Sequence, residues 1–206
     1  MTAYLFDFDG TLVDSMPAFE RVILRTLDEF AVQHPDNIVE IITPMDTAGK
    51  VAYFTRLGVP ANFQEALGRN LYREYAQIIP AKDGVIDTLK TLKGRGHSLS
   101  ILTAGPHLTL DPCLKRLGLW ELFDNVWSCD DFGTDKGNPE IFRMTAERLN
   151  CSMEDILFVD DSPKALRTAK TAGMRVCGVY DESAAAYEKE MRRLCDAYIH
   201  SFKELL

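Results

Sequence analysis

Two aspartates near the amino terminus have a spacing that could support chemistry. Asp7 and Asp9 lie one residue apart in the stretch YLFDFDGTLVDS, at the end of an apolar run and just before Gly10. Two carboxylates this close repel each other, and burying them is unfavourable unless a cation compensates. The pair therefore indicates a site that also contains a cationic partner.

Further candidate site residues come directly after other apolar runs or lie in a loop between them. They are Thr103, Ala104 and Gly105 after SLSIL, Asp160 and Asp161 after ILFV, and Lys136 in the loop GTDKGNPEIF. Because ligands bind at the carboxyl ends of parallel strands, we expect these residues to lie beside the aspartate pair. Four acids with one lysine invite a hard divalent cation, and a set of oxygen ligands suits Mg²⁺.

The residue types of this set are suited to phosphoryl chemistry. A carboxylate beside a metal and a lysine can attack phosphorus and form an acyl phosphate. Asp9, two residues after Asp7, points to the same side of an extended strand, from where it can protonate a leaving oxygen and later deprotonate water. Gly10 allows a sharp turn and lets backbone N–H groups approach a phosphate.

The elements that must position these residues are short apolar runs separated by stretches with helical spacing. The runs are AYLFDF, SLSILTAG, NVWSC, DILFVDD and RVCGVY. This alternation predicts an α/β fold with a Rossmann-like parallel sheet and helices on both faces. In one such helix, SPKALRTAKTAGMRV, we expect Ser162 as the N-cap, Pro163 in the first turn and Gly173 at the end.

Residues 16–80 interrupt the alternation. SMPAFERVILRTLDEF places apolar residues on one helical stripe, and both DTAGKVAYFTRLG and NFQEALGRNLYREYAQI have helical patterns. We therefore predict a core built from residues 1–15 and 81–206, with an all-helical insert at 16–80. Near the carboxyl terminus, a helix and the short apolar run at 197–199 are expected to close the sheet edge.

Composition excludes several classes of partner. The 206 residues include 23 basic and 31 acidic side chains, and a net charge of −8 argues against nucleic acid as the main ligand.

No apolar run approaches the about 18 residues of a membrane span, and no signal peptide is expected. The 5 scattered cysteines form no CxxC pair, which is typical of reduced thiols in a cytoplasmic protein.

Four stretches resemble the signatures of the haloacid dehalogenase-like superfamily, in its phosphatase branch. DFDGTL resembles the first signature, ILTAG the second, KGNPEIF the lysine signature and FVDDS the acidic fourth signature. They occur in the family's order and at its usual spacing, so the resemblance covers essentially the whole chain. The insert at 16–80 matches the family's cap, which closes over the substrate.

The resemblance implies a role for each of these positions. Asp7 would be the nucleophile and a magnesium ligand, and Asp9 the general acid/base whose backbone carbonyl also binds the metal. Lys136 would neutralise charge on the phosphoryl oxygens and the nucleophile. The phosphoryl group would be bound by Gly10, Thr103, Ala104, Gly105 and Lys136, and the metal also by Asp161 and Asp160.

The chain departs from the family pattern at two positions. Gly137 stands where proline usually follows the lysine, and Ala165 stands where many members have another acid. Asp9 distinguishes the branches, because dehalogenases of this superfamily typically carry tyrosine there. Asp9 therefore favours phosphoryl chemistry over dehalogenation.

The sequence thus predicts a Mg²⁺-dependent phosphomonoester hydrolase that resembles phosphoglycolate phosphatases and works through a phosphoaspartate. Its partner would be a small phosphorylated metabolite, and the protein would be a monomer or homodimer. Two alternatives stay open: a phosphotransferase resembling β-phosphoglucomutase, and a non-enzymatic phosphoaspartate switch or binding module. P-loop and dinucleotide sites are excluded, because the chain contains no GxxxxGK[ST] or GxGxxG string.

Overall fold

A computed structural model of the chain describes residues 2–42 and 47–206. Its strands form one parallel sheet in the order β3-β2-β1-β4-β5-β6. They are β1 (Ala3–Phe6), β2 (Ser98–Thr103), β3 (Asn125–Ser128), β4 (Ile156–Asp160), β5 (Arg175–Val179) and β6 (Ala197–Ile199). The predicted parallel sheet is confirmed, and β6 closes its edge as expected.

The α-helices lie between the strands and in the segment after β1. They are α1 (Met16–Glu29), α2 (Ile38–Ile42), α3 (Thr47–Leu57), α4 (Phe63–Gln77), α5 (Val85–Gly94), α6 (His107–Arg116), α7 (Glu140–Leu149), α8 (Pro163–Ala172) and α9 (Glu188–Leu194). Asp46, which begins the predicted helical stretch DTAGKVAYFTRLG, lies outside the described residues. Across residues 2–42 and 47–206, every helix is too short or too polar to cross a membrane.

Alternating side chains of β1 connect the sheet to two hydrophobic clusters. Tyr4 and Phe6 pack in a cluster with residues of α5 and α6, whereas Ala3 and Leu5 pack in a cluster with residues of α7, α8 and α9. Side chains alternate along a strand, so a strand with both sets buried has helices on both faces. This arrangement confirms the predicted α/β architecture.

The ends of α8 follow the sequence signals. Ser162 is the N-cap, and its hydroxyl oxygen accepts a hydrogen bond from the backbone N–H of Ala165; Pro163 is in the first turn. The helix ends at Gly173, which has φ 109°. A left-handed residue at this position favours glycine because glycine carries no Cβ. The helix begins directly after Asp160 and Asp161, so its start determines where those two carboxylates lie.

Strand β1 is shorter than the run AYLFDF predicts. Its ladder stops at Phe6, although the backbone N–H of Asp7 still donates to the carbonyl of Val159 at 2.8 Å. The chain then turns through Gly10, whose φ is 73°. Asp7 and Asp9 therefore lie beyond the strand, and the turn rather than strand alternation sets the orientation of Asp9.

Helices α1 to α4 enclose a third hydrophobic cluster. Its buried members are Val22, Ile23, Leu27, Ile38, Ile42, Phe54, Phe63 and Leu67. The buried Glu74 of α4 joins α4 to α1 through ion pairs with Arg21 and Arg25. The connections into and out of this segment lie side by side, because Asp14 N–H donates to the Pro80 carbonyl at 3.1 Å.

Candidate active site

The carboxyl end of β1 lies where the direction of strand succession reverses. Strands β2 and β3 extend the sheet on one side of β1, and β4 to β6 extend it on the other. A crevice forms at such a point in an open parallel sheet, and ligands bind there. The structure brings the residues after β1, β2 and β4, together with Lys136 from the loop after β3, to this edge.

Lys136 is the cationic partner expected beside the aspartate pair, and it contacts Asp7 of that pair. Its ammonium group donates to Asp7 Oδ1, and to Asp160 Oδ2 at 2.7 Å. Asp7 and Asp160 are buried, and the side chain of Lys136 is only 11% exposed. Burial alone would lower the pKa of Lys136, but the two carboxylates outweigh it and raise this pKa. The lysine is therefore charged at neutral pH.

Asp161 completes a cluster of carboxylates around this lysine. Asp7, Asp160 and Asp161 each offer an oxygen, and these oxygens lie within 4.8 Å of one another. The Thr11 hydroxyl donates to Asp161 Oδ1 at 2.8 Å. Burial, followed by the charges of Asp160 and Asp7, raises the pKa of Asp161 well above its usual value.

The donor set of this cluster fits a divalent cation. Three carboxylates face a single ammonium group, so about two negative charges remain when all the acids are ionised. Placing such charges in a low-dielectric site is unfavourable without a further cation. Oxygen ligands at this spacing suit a hard ion such as Mg²⁺. Asp7, Asp160 and Asp161 are the side chains that would hold it.

Asp9 lies between the loop that follows β2 and helix α4. The hydroxyl of Tyr75 donates to Asp9 Oδ1 at 2.6 Å. A Cβ added to Gly105 would lie 3.1 Å from Asp9 Oδ2 and 3.6 Å from Thr103 Oγ1, so Oδ2 faces these two residues. Burial raises the pKa of Asp9, and the nearby Asp7 raises it further, against the hydrogen bond from Tyr75.

At Gly10 and Gly105 the backbone lies so close to other groups of the site that an added Cβ would be crowded. At Gly10, φ is +73° and an added Cβ would lie 2.6 Å from Asp161 Oδ2. After β2, the Gly105 N–H donates to Thr103 Oγ1 at 3.1 Å, which leaves the hydroxyl hydrogen available to a ligand. Thr103 is buried and Ala104 is exposed, so the loop begins inside the protein and emerges into solvent.

Both departures from the family pattern are accommodated. Lys136 contacts Asp7 and Asp160 even though glycine follows it. An added Cβ on Gly137 would lie 2.7 Å from both Asp135 Oδ1 and Lys164 Cε, so a side chain would not fit without movement. Ala165 is buried in the hydrophobic cluster beneath α8, where a charged side chain would be unfavourable.

Two residues that touch the site were not singled out from the sequence. Thr11 contacts Asp161 across 150 residues, and Tyr75 contacts Asp9 across 66 residues. Thr11 lies in the stretch DFDGTL, two residues after Asp9, and this position in the sequence indicates that it is near the site. Tyr75 has no comparable sequence signal, because a tyrosine in an amphipathic helix is typical of a core position.

A cleft of about 1410 Å³ adjoins the site at Asp161. Its lining includes residues at the start of α1, such as Met16 and Glu20, and residues of α8, such as Lys164. The cleft therefore lies to one side of the carboxylate cluster: Asp161 lines it, whereas Asp7, Asp9 and Lys136 are not part of its lining. It is large enough to admit a small molecule.

Comparisons with known proteins agree with this geometry. The haloacid dehalogenase-like hydrolase family model matches residues 4–179. The pyrophosphatase PpaX of Bacillus velezensis is 30% identical over 184 residues, covering 87% of this chain and 83% of that protein. A phosphoglycolate phosphatase of Salmonella paratyphi A is 29% identical over 235 residues, and the match covers 98% of this chain and 89% of that protein.

A solved structure shares the fold along the entire chain. CbbY from Rhodobacter sphaeroides, crystallised in complex with phosphate, superposes with a TM-score of 0.83 at 24% identity, covering 100% of this chain and 96% of that one. This identity supports the fold alone, whereas the family match rests on the sequence of residues 4–179. The chain therefore belongs to the haloacid dehalogenase-like hydrolase family, as an enzyme of its phosphatase branch.

Proposed function

We propose that this enzyme is a Mg²⁺-dependent phosphomonoester hydrolase for small metabolites and that it works through a phosphoaspartate on Asp7. The observation that carries the proposal is the buried contact of Asp7 with Lys136, next to an Asp9 carboxylate that faces Thr103 and Gly105. A nucleophile, a cation and an acid/base thus lie around one crevice. The phosphatase relatives support the same reaction.

In the first step, an oxygen of Asp7 attacks phosphorus and the ester P–O bond breaks. Lys136 holds Asp7 in place and offsets negative charge on the phosphoryl oxygens. Thr103 donates its hydroxyl hydrogen to one of those oxygens. Asp9, in its protonated form, gives its proton to the departing alkoxide. The products of this step are the alcohol and an acyl phosphate on Asp7.

In the second step, Asp9 acts as a base. It takes a proton from water, which attacks phosphorus and breaks the bond to Asp7, so that inorganic phosphate leaves and Asp9 is protonated again. Mg²⁺ held by Asp7, Asp160 and Asp161, with the Asp9 backbone carbonyl, would supply positive charge to the phosphoryl oxygens. Gly10 and Gly105 have no side chain and Ala104 has a small one, so the backbone at these positions can approach the phosphoryl group.

The helical residues 16–80 act in this proposal as a cap over the substrate. Their separate hydrophobic cluster and the contact of Tyr75 with Asp9 support this role. The relatives named phosphoglycolate phosphatase and pyrophosphatase support a small phosphorylated substrate. The thiols of Cys113, Cys129 and Cys177 are buried and unpaired, which supports a reducing compartment such as the cytoplasm.

Release of phosphate from a panel of small phosphomonoesters tests this proposal. We expect turnover that needs Mg²⁺ and that falls at least about a hundredfold in Asp9→Asn, because general acid/base catalysis contributes on that scale. Chelator followed by re-addition of Mg²⁺ is the control for damage to the protein. Turnover unaffected by the metal or by Asp9→Asn would contradict the proposal. Transfer of phosphate to a sugar instead of water would indicate the phosphotransferase alternative.

A further inference from the structure

Tyr75 touches the predicted acid/base although it belongs to helix α4 rather than to the sheet. Its hydroxyl donates to Asp9 Oδ1 at 2.6 Å, and its side chain is buried. The other oxygen, Asp9 Oδ2, faces Gly105 and Thr103. The two oxygens of one carboxyl group thus have different surroundings: a phenol on one side and, on the other, residues 103–105, the phosphoryl-binding loop of the proposed function.

The core holds Tyr75 itself in place. Its backbone carbonyl accepts hydrogen bonds from Arg116 Nη2 at 3.2 Å and Arg116 Nε at 3.3 Å. Its ring stacks on Phe8, with centroids 6.5 Å apart and planes 25° apart. Arg116 ends α6, the helix that follows the Thr103 loop, and Phe8 lies between Asp7 and Asp9. The elements that position the phosphoryl-binding loop therefore also position the phenol.

We propose that Tyr75 is a positioning residue that orients the carboxyl group of Asp9 for proton transfer; this inference rests on the proposed function. The terminal torsion of an aspartate is broad, so an unrestrained Asp9 carboxyl would sample many orientations. The phenol donates its hydrogen to Oδ1, so the proton that Asp9 gives to the leaving group is carried by Oδ2. Oδ2 is the oxygen that faces the phosphoryl site.

This role predicts a dependence on the leaving group. An alkyl phosphate such as glycerol phosphate needs a proton on its departing oxygen, whereas 4-nitrophenyl phosphate releases a stable phenolate without one. The value of kcat/KM reports the steps up to the first irreversible one, which here is formation of the phosphoaspartate. A misplaced Asp9 should therefore lower kcat/KM for the alkyl ester and leave that for the aryl ester nearly unchanged.

The experiment compares the two substrates in the full-length protein with Mg²⁺. For Tyr75→Phe we expect kcat/KM to fall about tenfold with glycerol phosphate and less than about twofold with 4-nitrophenyl phosphate, as for loss of one hydrogen bond to a charged group. Tyr4→Phe is the matched control, because Tyr4 lies in the same hydrophobic cluster but away from Asp9. Its ratio of the two constants should equal that of the wild type.

The ratio of the two constants does not depend on how much of a variant is folded, so a loss of stability can neither imitate nor hide the effect. Equal losses on both substrates in Tyr75→Phe, or no loss on either, would overturn the positioning role. Asp9→Asn separates this failure from failure of the proposed function. If Asp9→Asn shifts the ratio and Tyr75→Phe does not, only the role of Tyr75 is wrong; if neither shifts it, the acid role of Asp9 is wrong as well.

Discussion

At the scale of single residues, the site depends on close approach as much as on charge. Lys136 forms ion pairs with two carboxylates, and the Thr11 hydroxyl donates a hydrogen bond to a third. The turn at Gly10 brings the backbone so near to Asp161 that no side chain fits between them. Each contact limits the movement of a group that the proposed chemistry uses, so small substitutions should have large effects on activity.

Gly10→Ala should lower both stability and activity. The left-handed φ of +73° costs an alanine about 1–2 kcal/mol, and the new Cβ, 2.6 Å from Asp161 Oδ2, would also displace that carboxylate. We expect turnover to fall at least about tenfold, because small misplacements at a site are costly for the rate. Urea unfolding and phosphate release on the same preparation measure the two effects.

Gly58→Ala is the matched control for this substitution. Gly58 also has a positive φ, +83°, but an added Cβ there would meet no atom within 4 Å. It should therefore show the backbone penalty of about 1–2 kcal/mol with no change in turnover. If Gly10→Ala behaved like Gly58→Ala in both measurements, the account of the Gly10–Asp161 contact would be wrong.

The residue types and their places in the chain predict which side chains meet at this edge of the sheet, but not all their contacts. Asp7, Asp9, Thr103, Lys136, Asp160 and Asp161 follow recognisable runs, and their types point to phosphoryl chemistry. The contact of Tyr75 with Asp9 joins residues 66 positions apart. Periodicity predicts that Tyr75 is on a buried face, but it does not indicate which polar atom that face meets.

At the scale of elements, the start of helix α6 is tied to the turn after β3. The ring of His107 makes two hydrogen bonds, Nδ1 with Asp111 and Nε2 with Asp131, each at 2.9 Å. These hydrogen bonds raise the pKa of His107 above 6.5, and the hydrogen bond with Asp111 contributes most to the increase. The hydrogen bonds of His107 thus join the two loops that carry Thr103 and Lys136. The charge on His107 therefore contributes to the stability of this edge of the sheet.

This link should make stability depend on pH. The folded-state pKa of His107 is raised, so its stabilising effect is complete below pH 6.5 and is lost as the pH rises through the raised value. We expect the wild type to exceed His107→Gln in free energy of unfolding by less than about 1 kcal/mol at acidic pH, because the pair is partly exposed. The difference should shrink as the pH increases.

Denaturant unfolding across this pH range measures the effect, with His34→Gln as the control. The His34 ring contacts the Pro35 backbone carbonyl rather than a carboxylate. Its substitution should give a difference in stability that does not follow the same trend. A His107→Gln difference that stayed constant with pH, or grew at alkaline pH, would contradict the assignment of charge to this link.

The order of elements was more predictable than their ends. Apolar runs between helical patterns indicate strands, and all the predicted runs contain one. The ladder of β1 ends at Phe6, before the aspartates, because the chain begins to turn there. Trp120 and Trp127 are only partly buried, with Lys115 and Arg148 over their rings.

At the scale of the whole molecule, the sheet order explains why distant signatures meet. With β1 in the centre, the ends of β2 and β4 flank Asp7 on either side. Composition and periodicity indicate a parallel sheet, but they do not specify which strands are neighbours, because pairing depends on contacts between distant residues. The cleft beside Asp161 was likewise not predictable, since helices of the insert form one of its sides.

The cap role of residues 16–80, and the state of the protein as a monomer or homodimer, stay predictions at this scale. The helical segment is joined to the rest of the protein by the paired connections at Asp14 and Pro80 and by the contacts of Tyr75 with Asp9 and Arg116. A small cap that encloses little of the substrate is consistent with several small phosphate esters as substrates. The proposed reaction can be tested independently of the natural substrate.

The most direct measurement is the search for a phosphoryl group on Asp7. The enzyme is mixed with Mg²⁺ and the best phosphomonoester of the panel, quenched in acid during turnover, digested and analysed by mass spectrometry. The proposed mechanism leads to a phosphoryl adduct on the peptide that contains Asp7 and to no adduct in Asp7→Asn. Rapid turnover with an unmodified peptide at every quench time, or an adduct on another residue, would contradict it.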